Sequence, residues 1–156
     1  MTNFGKITDE RETPIELFKE LDNEFHFELD VCAMNWNNKC SDYFNIGQNG
    51  LKQIWAPKKC WMNPPYSDIP SWLDKARKES QNGALIVSIL PTDSSTKWFH
   101  KYIWNKTIHQ FRKEVQVRFP DKRYKFDSTN SAKFATMIVI FDKATNSGVE
   151  QNPDKT

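Results

Sequence analysis

Two patterns organise the apolar residues of this chain, one helical and one strand-like. In TPIELFKELDNEF (13–25), Ile15, Phe18, Leu21 and Phe25 form a stripe at helical spacing. Thr13 reads as the cap of that helix, Pro14 suits its first turn, and Glu16 completes a capping box. HFELDVCA (26–33) predicts a strand ending near Asp30. AMNWNNKCSDYF follows without clear period and reads as a loop with a short strand at its end. Asn49-Gly50 marks a turn. CWM (60–62) is a short buried strand, stopped by Asn63-Pro64-Pro65-Tyr66.

The pattern then switches back. IPSWLDKARKESQN (69–82) carries Ile69, Trp72, Leu73 and Ala76 at helical spacing, with Gly83 as its stop. ALIVSIL (84–90) is continuously apolar, as strands inside parallel sheets are. Ser94 to Trp104 reads as a helix with Trp98, Phe99 and Tyr102 on one face. TIHQF (107–111) and ATMIVIF (135–141) read as strands. Strands alternating with helices predict an α/β fold with a doubly wound, mostly parallel sheet. The last two strands lack a helix between them and are expected to pair antiparallel at one edge. Residues 1–141 read as one domain and 142–156 as a polar, disordered tail.

Composition narrows the setting. With 156 residues, one domain with a sizeable core is expected. No apolar run approaches the ~20 residues of a membrane helix, and the first residues lack the apolar core of a signal peptide. Cys32, Cys40 and Cys60 make an odd count without a CxxC, which favours buried free thiols in a reducing compartment. His26, His100 and His109 stand at no metal-ligand spacing, so no metal is expected. Trp55 and Trp61 read as core.

Charge adds a partner. Residues 1–30 carry nine acids and three bases, whereas residues 97–133 carry ten bases and three acids. Such polarity points either to a polyanion lying against the basic half or to a solvated lysine-rich face.

The chemistry concentrates in NPPY. Each proline fixes φ, removes a donor and holds the preceding residue extended. The Asn63 side-chain oxygen and the Pro64 carbonyl become a rigid pair of acceptors, with Tyr66 as a flat face beside them. Such a pair suits an exocyclic amino group on a planar ring. Holding both hydrogens draws the nitrogen toward tetrahedral geometry and frees its lone pair to attack an electrophilic methyl, so the device works by position and electrostatics. The bland alternative is a double proline that only makes a turn.

NPPY after a strand resembles the signature of S-adenosylmethionine-dependent amino-methyltransferases. The stretches ETPIELFKEL, FELDVCAMNWNNKCSDYF, NGLKQIW, CWMNPPYSDIPSWLDKA and LPTDSSTKWFH together resemble the phage N-6-adenine DNA methyltransferases (Dam type). The resemblance implies a compact Rossmann-like fold, S-adenosyl-L-methionine as methyl donor and DNA as partner. It further implies residence in the cytoplasm of a bacterial host. Asn63, Pro64, Pro65 and Tyr66 would be the catalytic set. Thr13 and Pro14 would meet the cofactor's carboxylate and Asp30 its ammonium, while Cys32 and Ala33 allow close approach and Asn49 reaches its adenine. No GxG stands in this loop, a departure from the usual pattern.

Asp93, Ser94, Ser95 and Thr96 would face the substrate, although Ser94 or Ser95 as a helix cap is equally open. Arg112, Lys113, Lys122 and Arg123 would meet phosphates. An RNA or a protein glutamine as methyl acceptor, and a DNA-binding module with a decayed site, remain the alternatives.

Overall fold

The computed structural model describes residues 13–33, 38–124 and 135–143. Helix α1 is Ile15–Phe25 and α2 is Ile69–Gln81. The strands are β1 (Leu29–Asp30), β2 (Lys59–Met62), β3 (Leu85–Pro91), β4 (Trp104–Asn105), β5 (Gln110–Phe111), β6 (Val115–Arg118) and β7 (Thr136–Phe141). Short 3₁₀ turns cover Gly50–Lys52 and Tyr66–Asp68, and one π-helical turn covers Phe99–Ile103. Most of the expected tail, 144–156, lies outside the described residues.

Five strands form one sheet in the order β1-β2-β3-β7-β6, and β4 pairs with β5 in a separate hairpin. The pairings β1/β2 and β2/β3 are parallel, while β3/β7 and β7/β6 are antiparallel. Strands β1, β2, β3 and β6 therefore point one way and β7 alone points the other. The sheet is mixed rather than mostly parallel in its pairings; an antiparallel pair does lie at one edge as expected, with β6 outermost and the reversed strand β7 one place inside. The reason is in TMIVIF: all six residues are buried, so the backbone N–H and C=O groups along both edges of the strand need partners, which an interior position supplies. Its outer partner is Val115–Arg118, not TIHQF. Gln110 and Phe111 are exposed and pair only with Asn105 and Trp104.

Among the described residues, each face of the sheet carries one α-helix. Cys60, Met62, Ile86, Leu90, Met137 and Val139 pack with Leu73 and Ala76 of α2. Trp61, Val87, Ile89, Ile138 and Ile140 pack with Leu17, Phe18 and Leu21 of α1. Trp55 and Trp61 are core residues, at 0% and 1% exposure. Cys40 and Cys60 are buried and Cys32 half-buried, all as free thiols. Burial pushes the Cys40 thiol up to about 12 and the Cys60 thiol upward as well.

Three expected details change. The capping box of α1 does not form: Pro14 occupies the cap position and no described side chain caps the helix. The helix expected from Ser94 is shorter, because Asp93 to Thr96 form a hydrogen-bonded turn ahead of the π-helical one. The acidic and basic halves also meet each other. Arg118 forms a two-pronged ion pair with Glu24 at 2.7 Å, and Lys122 reaches Glu16 at 3.2 Å.

Candidate active site

Strands β1, β2 and β3 bring their carboxyl ends to one side of the sheet, where open α/β sheets bind ligands. Their register sets Asp30 beside Trp61 and Met62 beside Ser88. Asn63 is the first residue beyond β2. It is half-buried, and its Nδ2 donates to Thr13 Oγ1 at 3.0 Å. Thr13 is only 6% exposed. Its hydroxyl thus crosses to β2 instead of capping its own helix.

Packing holds this link. Phe18, on the first turns of α1, sets its ring edge-on to Trp61 at 5.2 Å and 84°. Pro64 is buried, and Pro65 is extended at φ −63° and ψ 135°. The chain then turns through Tyr66–Asp68 into α2, where Ser71 Oγ donates to Asp68 Oδ1 at 2.7 Å and Pro70 occupies the first turn. Tyr66 is half-buried against the core with its hydroxyl inside, so what it can offer a ligand is a ring face.

At the end of β1, Asp30 is 3% exposed. Its Oδ1 accepts from the Cys32 amide at 3.2 Å and its Oδ2 from the Lys39 amide at 2.9 Å. The carboxylate thereby ties Cys32 and Lys39 to the end of β1. Burial raises its pKa to about 6, against the lowering effect of those two amides. The segment 42–44 extends the sheet beyond β1, with the Phe44 amide donating to Asp30 O and the Ala33 amide to Phe44 O.

Asn49 also turns inward. At φ 53°, its Oδ1 accepts from the Leu51 amide at 3.2 Å and caps the turn Gly50–Lys52. Gly50 abuts the strand end itself: a Cβ there would stand 2.1 Å from Val31 O and 3.2 Å from the Trp72 ring. Trp55 fixes this turn through Nε1 to Gly50 O at 2.8 Å, and its own amide is held by Glu79 at 2.9 Å. Glu79 is 4% exposed and pairs with Lys75 at 3.1 Å. Sequence reasoning missed both supports. Glu79 stands three residues after Ala76, on the apolar stripe of α2, which was its available signal.

After β3, Asp93 Oδ1 accepts from the Ser95 amide at 3.0 Å and from its hydroxyl at 2.5 Å. Thr96 Oγ1 accepts from the Phe99 amide at 3.3 Å, so Thr96 rather than Ser94 or Ser95 caps the helical turn. These residues lie past the carboxyl end of β3 and are largely exposed.

The four basic residues do not come together. Arg112 and Lys113 precede Val115, which pairs with Phe141, which pairs in turn with Ile86 near the start of β3. They stand at the opposite end of the sheet from Asn63, because β6 runs parallel to β2 and they lead into it. Arg112 Nη2 also donates to His100 O at 2.6 Å. Lys122 is paired with Glu16, and Arg123 is exposed. Lys125 and Lys133 lie outside the described residues.

The buried Asp30 makes a testable pH dependence. Its folded pKa, about 6, lies above the ordinary aspartate value of 3.8, so the native state holds the proton more tightly. The associated stability is full below pH 4, falls as pH rises, and is lost above pH 6, a span of about 3 kcal/mol. Urea unfolding at pH 7 and pH 4.5 should show wild type gaining stability relative to Asp30→Asn at the lower pH. Parallel behaviour of the two proteins would show that the carboxyl does not titrate in this range.

Asn63 thus stands past the end of β2, tied to Thr13 beside the N-terminus of α1, on a mixed α/β scaffold. Residues 3–151 match the family described as DNA N-6-adenine-methyltransferase (Dam), and the chain belongs to that family. It is 36% identical over 133 residues to the DNA N-6-adenine-methyltransferase of Haemophilus phage HP1, covering 83% of this chain and 76% of that protein. It is 33% identical over 95 residues to the protein of the same name from Escherichia phage T1, covering 60% of this chain and 40% of the relative.

Proposed function

We propose that this protein transfers a methyl group from S-adenosyl-L-methionine to N6 of adenine in DNA, and that its sheet is a reduced Rossmann-like methyltransferase core. The observation that carries the reading is the half-buried Asn63 amide, tied to Thr13 and followed by Pro64-Pro65-Tyr66, in a chain of the Dam family. When bound, the cofactor supplies an electrophilic methyl group.

The residues at the strand ends suit that cofactor. The first-turn amides of α1 have no described side-chain cap, and a helix N-terminus favours a carboxylate. Pro14 and Thr13 border that terminus. Ala33, buried, and Cys32, half-buried, put small side chains at the end of β1. Asp30 acts by shaping the loop through the Cys32 and Lys39 amides, and Asn49 by capping the turn that Gly50 presses against Val31. The cofactor's ammonium and adenine would then meet backbone groups that these side chains hold in place.

Asn63 Oδ1 and the Pro64 carbonyl would accept the two amino hydrogens of the target adenine while Tyr66 offers its ring to the base. The methylated nitrogen is cationic and releases its proton to water. The target must leave the duplex to reach such a site, at a cost of a few kcal/mol. Asp93 to Thr96, exposed past the carboxyl end of β3, would border the path of the flipped nucleotide.

Incubation with tritiated S-adenosylmethionine and DNA, RNA or protein tests this reading. Label on N6 of DNA adenine is expected; label only on RNA or on protein glutamine, or none, would overturn it. DNA binding should weaken steeply with salt. Lys97→Ala, beside the Asp93–Thr96 turn, should flatten the slope of log affinity against log salt by about 0.9, the value of one phosphate contact. Lys113→Ala, at the far end of the sheet, should leave it unchanged, and equal effects would move the DNA face.

A further inference from the structure

Two cations at the catalytic end of the sheet are held by carboxylates of α1. Arg118, the last residue of β6, pairs with Ile138, and Ile138 with Ile89. Ser88, one residue before Ile89, pairs with Met62, one residue before Asn63. Arg118 therefore stands level with Asn63 and three strands from it, roughly 14 Å at about 4.8 Å per strand. Val115 and Val117 pack toward α2, so Arg118 alternates onto the face that α1 covers. There its two Nη atoms meet the Glu24 carboxylate, each at 2.7 Å, and its guanidinium lies 5.4 Å from the centre of the Phe25 ring. Lys122 reaches Glu16, in the first turn of α1, at 3.2 Å.

We infer that this seam between α1 and the end of β6 is a surface for the DNA backbone, closed in the free protein by its own carboxylates. On binding, one phosphate replaces Glu24 at Arg118 and another replaces Glu16 at Lys122. The inference rests on the reading of the protein as a DNA methyltransferase given above.

The exchange is chemically matched. The planar fork of an arginine takes a carboxylate or a phosphate through the same two parallel N–H···O bonds. Glu24 thus occupies the geometry that a phosphate needs. Neither pair is buried: the side chains of Arg118 and Glu24 are 39% and 49% exposed, and those of Lys122 and Glu16 55% and 80%. Exposed pairs of this kind contribute little and are screened by salt. A DNA backbone carries a charge about every 1.7 Å of helix axis and releases counterions as it is neutralised, which a lone carboxylate does not. Beside the second pair, a cleft of about 580 Å³ opens between α1 and residues 121–124, lined by Glu16, Glu20, Lys122 and Tyr124. It gives a sugar-phosphate unit room to enter.

The reach also fits the reaction. An adenine seated at Asn63 stays tied to its own strand. At about 3.4 Å of axis per nucleotide, the span from Asn63 to Arg118 covers about four nucleotides of that strand. Arg112 and Lys113, at the other end of the sheet, stand beyond it.

The test is binding of a labelled duplex oligonucleotide across a salt series, read by fluorescence anisotropy. The proteins are wild type, Glu24→Gln, Glu16→Gln, Glu20→Gln, Arg118→Ala and the Arg118→Ala/Glu24→Gln double variant. Glu20 is the control: it borders the same cleft but holds neither Arg118 nor Lys122, so its loss changes net charge without freeing a cation. Glu24→Gln should tighten binding by about three- to fivefold, and Glu16→Gln in the same direction, against less than about twofold for Glu20→Gln. Arg118→Ala should weaken binding and flatten the slope of log affinity against log salt by about 0.9. With Arg118 gone, Glu24→Gln should do no more than Glu20→Gln does.

Equal tightening by Glu24→Gln and Glu20→Gln would overturn the inference and leave a general charge effect. So would a Glu24→Gln gain that survives in Arg118→Ala. An unchanged salt slope in Arg118→Ala would overturn it as well, leaving the ion pair as a tie between α1 and the sheet. Wild type that binds no duplex at any salt would instead overturn the reading of DNA as the partner.

Discussion

Replacing Asn63 with alanine is expected to lower methyl transfer by about 10²–10³-fold, the usual cost of removing one pre-organised polar contact to a reacting group. S-adenosylmethionine affinity should fall far less than turnover: Asn63 bonds Thr13 at the N-terminus of α1, but Asp30, Cys32 and Ala33 lie at the end of β1. Tyr66 separates from Asn63 in a second way. Its hydroxyl is inside the core, so Tyr66→Phe should retain most activity, whereas Tyr66→Ala should weaken capture of the flipped base. An adenine opposite a mismatch is easier to extrude. A mismatched duplex should therefore partly rescue Tyr66→Ala and leave Asn63→Ala as slow as before. Methyl transfer on paired and mismatched duplexes, with cofactor affinity by calorimetry, checks both. Full activity in Asn63→Ala would reduce NPPY to a turn.

Gly50→Ala is expected to be the most damaging single change to the scaffold. The added methyl would stand 2.1 Å from the Val31 carbonyl, a backbone atom that cannot swing aside, and 3.2 Å from the Trp72 ring. Forcing the two segments apart disturbs the buried Trp55–Trp72 stack and the Trp55 bond to Gly50 O. A cost of about 3 kcal/mol is expected, the upper end for overpacking a core. For a chain of this size that lowers Tm by about 6–12 °C, which a thermal melt would detect. Cofactor affinity should fall with it, since Val31 begins the loop that Asp30 closes. An unchanged Tm would mean that the turn and the strand end are not pressed together in solution.

Much of this architecture was legible because burial on one face leaves a period in the sequence. Phe18 and Leu21 mark α1, although Ile15 of the expected stripe is 61% exposed and Leu17 is buried in its stead; Trp72, Leu73 and Ala76 mark α2, and the apolar run 84–90 marks β3. The NPPY segment was legible because prolines constrain a backbone whatever surrounds them. What escaped depended on partners distant in sequence. Val115 and Val117 alternate with Gln116 and Arg118, a strand signal drowned by the charged neighbours Arg112, Lys113 and Glu114. TIHQF has strand-like composition but finds only a two-residue partner. Thr13 reads locally as a cap, and only the position of Asn63, fifty residues later, shows where its hydroxyl goes. The basic residues mislead for a related reason. Proximity in sequence put Arg112 beside Arg123, while the direction of β6 separates Arg112 from the end of the sheet that carries Asn63.

The reversed strand β7 has a consequence for how the protein is made. Six residues of β3 pair with β7, yet every other described strand precedes β7 in the chain. During synthesis, the segments carrying Thr13, Asp30 and Asn63 emerge first, and β3 must wait with one edge open. That edge is apolar and unpaired, the kind that recruits strands from other molecules. The pairing that closes it spans some fifty residues, and such distant contacts form slowly. A nascent chain halted before Thr136 would therefore hold every residue of the proposed catalytic set and still be an aggregation hazard rather than an enzyme.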